Sequence, residues 1–355
     1  MPSIVIVAPG PLEARTGGYI FNRRIAEGLA RLGWRVDVVA LDASFPHPAP
    51  AALEHAAGAL AAVPAGTITL IDSLALGAMP EIIVREASRL PVVALVHLPL
   101  AAAVGLDPDA AARFEQGEGR ALNAVALIVV TGNAALSLLA RYRVAPDRIV
   151  VVEPGTDRAA LSSGSSDDGS VELLCVAAVT AGKGHEMLLT ALSTVSDSRW
   201  RLTCAGSLER DPATARRVQA TVARLGMADR VSFAGDVDRP ELEQCYSRAD
   251  VFVLATLRET YGMAVAEALA HGLPVVATAT GAIPELVGHD AGLLAPVGDQ
   301  TTLAEALARV IVDGGLRARL AEGARRRRDR LPTWDEACRR IAAAIEPVRS
   351  VNARG

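Results

Sequence analysis

Two glutamates in an E-x7-E spacing, Glu259 and Glu267, bracket the densest run of chemistry-bearing residues in the chain: Arg258-Glu259-Thr260-Tyr261-Gly262-Met263, then Ala264-Val265-Ala266-Glu267. Glu259 falls in a loop after the apolar run Val251–Leu254, and Glu267 lies inside the helix that the spacing predicts over Met263–His271. The first amides of such a helix, at the positive end of its dipole, attract phosphate, so Tyr261-Gly262-Met263 offer backbone donors. Two carboxylates do not suit that same phosphate, because like charges repel. They suit neutral hydroxyls instead, a sugar for one and a ribose diol for the other, which is the pattern of a nucleotide-sugar site. For Glu267 the alternative is an ordinary carboxylate on a helix surface.

Three further groups sit where strands are expected to end. The loop from Gly10 to Gly18 carries paired glycines, Gly17-Gly18, just before a predicted helix over Tyr19–Leu32. Paired glycines let backbone approach a ligand, but a tight turn explains them as well, and the spacing is not the G-x-G-x-x-G of a nicotinamide site. His97 follows the apolar run Pro91–Val96; it reads either as a satisfied structural histidine or as a ligand contact. Ala181-Gly182-Lys183-Gly184 follows the predicted strand Leu173–Val179 and places an ammonium beside a helix start, a fitting anion clamp although not a P-loop. Asp236-Val237-Asp238 resembles a metal-binding D-x-D, but Asp238-Arg239-Pro240-Glu241 reads better as a helix cap: Asp at the N-cap, Pro in the first turn, Glu three residues on. No metal site is expected.

These groups need a frame. The chain has 355 residues, about two domains' worth at ~150 residues each. Its net charge of −4 argues against a nucleic-acid partner. With 51% apolar and only 3% aromatic residues, the core must be Ala, Val, Leu and Ile, as in parallel α/β sheets. Strands are predicted at Ile4–Ala8, Val36–Ala40, Ile68–Ile71, Val92–Val96, Leu127–Val130 and Ile149–Val152. A second set follows at Leu173–Val179, Arg201–Ala205, Val231–Ala234, Val251–Leu254 and Pro274–Thr278, with helices between. The small polar stretch Leu161–Ser170 reads as a flexible linker. The expected division is therefore residues 1–165, residues 166–330, and a C-terminal helical segment 331–355.

The first residues, MPSIVIVAPG, lack a basic leader and read as a strand, not a signal peptide. The uncharged run Ala121–Ala140 is of bilayer length, but Asn123, Thr131-Gly132-Asn133 and Ser137 interrupt it, so strand and turn are expected there. Cys175, Cys204, Cys245 and Cys338 form no C-x-x-C pair and are expected to be free thiols, as in a reducing cytosol. The arginine run Arg325–Arg328 reads as a solvated helix face, with anionic lipid or an acidic acceptor as the functional alternative.

The whole pattern resembles the family 4, group 1 glycosyltransferases from Ile4 to about Ile345. The E-x7-E block followed by HGLPVVAT is the most specific match. Gly17-Gly18, His97, VVEPGTD at Val151–Asp157, Lys183-Gly184, Gly281-Ala282-Ile283-Pro284-Glu285 and Gly292-Leu293-Leu294-Ala295-Pro296 support it. The resemblance implies a GT-B fold: two Rossmann-like doubly wound domains facing across a cleft, acceptor side first and donor side second, with the Trp334 helix crossing back. It implies that Lys183 contacts the donor diphosphate, Glu259 the sugar hydroxyls and Glu267 the ribose, while Gly18 faces phosphate and His97 lies beside the transferred sugar.

The implied activity is retaining transfer from a nucleotide-diphosphate sugar to an acceptor hydroxyl, with no metal or cofactor. The acceptor is a saccharide, a lipid-linked group or a small molecule, in a cytoplasmic protein with at most peripheral membrane contact. Two departures stand out. Ala178 occupies the place of the family's arginine before the lysine loop, and Pro154-Gly155-Thr156-Asp157 replaces the usual Asn-Gly-Val-Asp. Without that arginine, the diphosphate is left to Lys183, helix starts and an arginine such as Arg15 or Arg258. A nucleotide-sugar binder without catalysis, and a phosphorylase or epimerase on the same frame, remain the alternatives.

Overall fold

A computed structural model describes residues 1–165, 169–197 and 199–348. The chain divides into two compact units: Met1–Gly155 with the segment from Pro332, and Thr156–Leu331. Continuous apolar runs need cover on both faces, and alternating strands with helices supplies it.

In the first unit the order is β1 (Ser3–Pro9), α1 (Gly17–Arg31), β2 (Arg35–Leu41), α2 (Pro50–Ala61), β3 (Ile68–Asp72), α3 (Ser73–Leu76), α4 (Pro80–Glu86), β4 (Val92–Val96), α5 (Pro108–Ala124), β5 (Leu127–Val130), α6 (Ala134–Leu139) and β6 (Ile149–Val151). The second unit runs β7 (Val171–Val176), α7 (His185–Ser193), β8 (Trp200–Ala205), α8 (Pro212–Arg224), β9 (Val231–Gly235), α9 (Arg239–Arg248), β10 (Val251–Leu254), α10 (Met263–Ala270), β11 (Val275–Thr278), α11 (Ile283–Val287), β12 (Gly292–Ala295), α12 (Gln300–Val312) and α13 (Gly314–Arg328). Finally α14 (Trp334–Ile345) returns to the first unit, where it packs on α1.

Each unit holds a six-stranded sheet, ordered β2-β1-β3-β4-β5-β6 in the first and β12-β11-β10-β7-β8-β9 in the second. Every pairing between neighbours is parallel. Strand order reverses between β1 and β3 in one sheet and between β7 and β10 in the other. Open α/β sheets bind ligands at such points, outside the carboxyl ends of the strands.

The α1–α14 contact depends on Gly28. A Cβ there would lie 2.0 Å from the Cys338 sulfur and 2.8 Å from its Cβ. Gly28→Ala is therefore expected to destabilise the protein despite alanine's better helix propensity. Overpacking of this kind costs about 1–3 kcal/mol against a helix gain of about 1, read as a lowered urea midpoint.

Several expectations are corrected. The strand expected to reach Val179 ends at Val176, although Ala177 N and Val179 N still donate to the Ala205 and Ser207 carbonyls at 2.9 Å each. The compact units meet at Gly155/Thr156, ahead of the 165/166 boundary read from composition. The serine-rich stretch explains the difference, because its first half is tied down and not free. Ser162 Oγ donates to the carbonyls of Ala249 (2.6 Å) and Ser247 (3.0 Å), and Ser165 N donates to Asp250 Oδ1 (3.1 Å). Residues 166–168 of that stretch and the C-terminal residues 349–355 lie outside the described residues.

The uncharged run Ala121–Ala140 is the end of α5, then β5, then α6. Among the described residues no helix is long and apolar enough to cross a membrane. All four cysteines are free, and Cys175 and Cys204 lie side by side on β7 and β8. The four arginines ending α13 are each engaged. Arg326 and Arg327 bind Asp290 at 2.9 and 3.4 Å, Arg328 donates to the Ala159 carbonyl at 2.6 Å, and Arg325 pairs with Glu322 at 3.5 Å. Cations belong at a helix C-terminus, where they oppose its negative end.

Candidate functional site

In the second unit the loops after β7 and β10 meet at the switch point. The lysine loop forms a single turn, Ala181–Lys183, and hands over to α7 at Gly184. Gly184 has φ +67°, and a Cβ there would lie 2.0 Å from the Ala255 carbonyl oxygen, so only glycine lets this turn press against the end of β10. The two loops are then stitched together. Leu257 N donates to the Gly182 carbonyl (2.8 Å), Thr256 Oγ1 donates to the same oxygen (3.2 Å), and Thr278 Oγ1 donates to the Thr256 carbonyl.

This brings together two residues that are far apart in sequence: Lys183 Nζ donates to Glu259 Oε2 at 2.7 Å. Both are half-buried, with side chains 31% and 17% exposed, so the pair is partly desolvated but reachable.

Beside the pair, α7 and α10 begin at Gly184 and Gly262, both left-handed and without a capping side chain. In the same unit α8, α9, α12 and α13 are each capped by an aspartate. The uncapped amides stay available to an anion. Tyr261 is buried with Ala266 and Ala282, and Gly262 and Met263 follow it as the backbone start of α10. Arg258 is exposed on the same loop. Asp238 is engaged as a helix cap: its side chain accepts from Glu241 N (2.9 Å) while Glu241 accepts from Asp238 N (3.0 Å). Among the described residues no cluster suited to a metal ion is found.

Glu267 has partners of its own. Among the described residues it forms no hydrogen bond or ion pair with Lys183 or Glu259. Its Oε2 accepts from the Tyr246 hydroxyl at 3.0 Å. Tyr246 stacks on His271 with ring centroids 4.5 Å apart, and His271 lies 3.3 Å from Glu243, which pairs with Arg239 at 2.7 Å. Burial pushes the Glu267 carboxyl above the ordinary range, and the Tyr246 hydrogen bond holds it down. Neither Tyr246 nor His271 stands out as a site residue in the sequence, because the contact with Glu267 is tertiary.

Tyr246→Phe is therefore expected to raise the Glu267 pKa further. If Glu267 takes ribose hydroxyls as a carboxylate, as the family resemblance implies, its binding form lies above its pKa, so nucleotide binding in the variant should fade at a higher pH than in wild type. The hydrogen bond given up is one to a charged group, worth about 1.5–3 kcal/mol, which caps the loss near neutral pH at roughly 10–100-fold. Calorimetric titration with a nucleoside diphosphate from acidic to neutral pH checks both.

In the first unit Gly17 opens α1 and Gly18 follows, next to β1 at the other switch point. Gly18 lies against His97: a Cβ at Gly18 would be 3.1 Å from His97 Cδ2. His97 Nε2 is 3.0 Å from Asn22 Oδ1, and Asn22 Nδ2 donates to Asp72 Oδ2 at 2.6 Å. Burial pushes the His97 pKa down, and the Asp72 charge pulls against it. Asn22 and Asp72 were missed as well; Asn22 looks like one polar residue on an amphipathic helix, and Asp72 looks like the end of a strand.

A family model described as "Glycosyl transferases group 1" matches residues 159–327, and one described as "Glycosyltransferase Family 4" matches residues 17–160. The D-inositol 3-phosphate glycosyltransferase of Xylanimonas cellulosilytica is 32% identical over 228 residues, covering 60% of this chain and 54% of that protein. The protein of the same name from Jonesia denitrificans is 29% identical over 267 residues, covering 70% and 62% respectively. The chain thus matches a little over half the length of these curated relatives.

Among solved structures, the sucrose-phosphate synthase of Thermosynechococcus elongatus superimposes with a TM-score of 0.81 at 21% identity, covering 100% of both chains. HepE of Anabaena, in complex with UDP and glucose, gives 0.77 at 15% identity, covering 98% of this chain and 100% of that one. These two structures are similar to the chain in fold. Two family models that together run from residue 17 to 327, over two parallel doubly wound sheets, show that the chain has the two-domain α/β GT-B fold and belongs to the group 1, family 4 glycosyltransferases.

Proposed function

We propose that this chain is a retaining glycosyltransferase that moves a sugar from a nucleotide-diphosphate sugar to an acceptor hydroxyl, without a metal or other cofactor. The observation that carries the proposal is the Lys183–Glu259 pair at the β7/β10 switch point, between two uncapped helix starts. An ammonium and free amides suit a diphosphate; a carboxylate suits sugar hydroxyls. When donor binds, Lys183 turns to the phosphates and Glu259 accepts from the sugar, while Glu267 takes the ribose diol. His97 and the Gly17-Gly18 loop are assigned to substrate contact on family likeness.

In the reaction the bond between the anomeric carbon and the phosphate oxygen breaks, and its electron pair leaves with the diphosphate. The acceptor oxygen attacks the same face, and its proton passes to the departing phosphate. Lys183 and the opening amides of α10 stabilise the charge that builds on the leaving group. Four free cysteines are consistent with a reducing, cytoplasmic setting.

A thermal-shift panel of nucleotide-diphosphate sugars tests the binding claim, because a ligand of the native state raises the melting temperature with its affinity. UDP-glucose is the first probe, given the HepE complex, and D-inositol 3-phosphate the first acceptor, given the relatives' name. No shift with any nucleotide sugar would remove the proposal. Product analysis with donor alone, donor plus acceptor, and sugar plus phosphate separates transfer from epimerase or phosphorylase chemistry, and the anomeric configuration of the product tests retention.

Ala178 favours one other reading, a nucleotide-sugar binder with little or no turnover. A missing charge-assisted hydrogen bond of about 1.5–3 kcal/mol leaves donor affinity or rate roughly one to two decades lower. If wild type is inert and Ala178→Arg gains no turnover, the binder reading stands.

A further inference from the structure

We propose that Asp72 and Asn22 are positioning residues for His97, fixing its neutral ring with the proton on Nε2 and leaving Nδ1 bare as a hydrogen-bond acceptor. Donors and acceptors in a dry place fix where the proton sits. Asn22 and Asp72 are 1% and 3% exposed, so their polar atoms must be paired inside the protein. Asp72 is held at the end of β3: its Oδ1 accepts from Leu74 N at 2.9 Å, as the cap of α3.

An ionised carboxylate only accepts, so the Asn22 atom 2.6 Å from Asp72 Oδ2 is its NH2 group. That leaves the Asn22 carbonyl oxygen facing His97 Nε2 at 3.0 Å, and a carbonyl oxygen also only accepts. Nε2 must therefore carry the hydrogen. The Asp72 carboxylate, 3.6 Å from Nε2, favours a proton on that side of the ring. Phe21 meets the imidazole edge-on with ring centroids 5.4 Å apart, and a Cβ at Gly18 would lie 3.1 Å from Cδ2.

Asp72 is the charged group facing the imidazole; Gly18, Phe21 and Asn22 of α1 bring none. The consequence for chemistry rests on the transferase reading: a bare Nδ1 accepts from a substrate hydroxyl and offers no donor to phosphate. The tautomer itself does not depend on that reading.

The test is a long-range 15N–1H correlation spectrum of the 15N-histidine-labelled wild-type protein, whose six histidines are few enough to resolve. The His97 signals are assigned by their loss in His97→Gln. The expected result is a pyrrole-type Nε2 and a pyridine-type Nδ1 at neutral pH. A protonated Nδ1 in the neutral ring overturns the proposal outright, with no variant needed. In Asp72→Asn the Asn22 amide is free to flip, so a mixture of tautomers and a lower titration midpoint for His97 are expected. An unchanged tautomer and midpoint there would show that Asp72 does not act through Asn22. Should Asp72→Asn fail to fold, Asn22→Leu removes the same acceptor with an apolar side chain of similar volume, and again a mixture is expected. Absence of transferase activity leaves these spectra readable, so the two ideas fail separately.

Discussion

Glu259→Ala is expected to lower sugar transfer by about 10–100-fold while nucleoside diphosphate, which lacks the sugar, binds as well as or better than in wild type. The first effect follows from losing a charged acceptor for sugar hydroxyls, worth about 1.5–3 kcal/mol. The second follows from the ion pair. In the free protein Lys183 is bonded to Glu259 at 2.7 Å, and a diphosphate must compete with that carboxylate. Removing it frees the ammonium and removes a like charge from the neighbourhood of the incoming phosphates. The fold should survive, because Lys183 is 31% exposed and can be rehydrated when left alone. Transfer within a few-fold of wild type would end the sugar-binding role. Weaker binding of the bare diphosphate would show that Glu259 supports the phosphates by some other route.

Lys183→Ala is expected to act in the opposite direction on the same ligand. Nucleoside diphosphate affinity should fall by roughly 100-fold, more than the loss of one charged hydrogen bond at the low end of its range, because Glu259 is then unopposed beside the phosphates. The double variant Lys183→Ala/Glu259→Ala should bind the diphosphate better than Lys183→Ala alone, since the repulsion is gone. Such non-additivity is the signature of residues that share one interaction. Calorimetry on the four proteins reads it directly. Additive losses would mean that the pair is a surface contact with no part in binding.

Legibility in the sequence followed how local the cause was. Val92–Val96, Leu127–Val130 and Val251–Leu254 are strands with the bounds their apolar runs predict, because a strand buried on both faces has no reason to include a polar residue. Trp334–Ile345 is likewise a helix, inside the helical segment expected over 331–355. The Asp238 cap was readable because its partners lie within three residues.

By contrast α2 passes unnoticed. Pro50–Ala61 is so rich in alanine that its buried and exposed faces hardly differ in residue type. The strand β12, Gly292–Ala295, is too short and too poor in β-branched residues to stand out, and it is a strand because β11 offers it an edge. The linker failed for a related reason. Ser162 looks like flexible punctuation until the carbonyls at the end of α9 come within reach of its hydroxyl.

The residue types at the candidate site, and their place at strand ends, came from the chain alone: Lys183, Glu259, Glu267, His97 and the Gly17-Gly18 turn all announce themselves by local pattern. Which of them touch was decided only by folding. Parallel pairing sets β10 beside β7 and so closes the gap between Lys183 and Glu259, whereas Glu267, a few residues further on, turns to Tyr246. The hydrogen bonds that tune Glu267 and His97 come from α9, α1 and β3, elements whose neighbours are chosen by sheet order and helix packing. Such partners leave no mark in the spacing of residues along the chain.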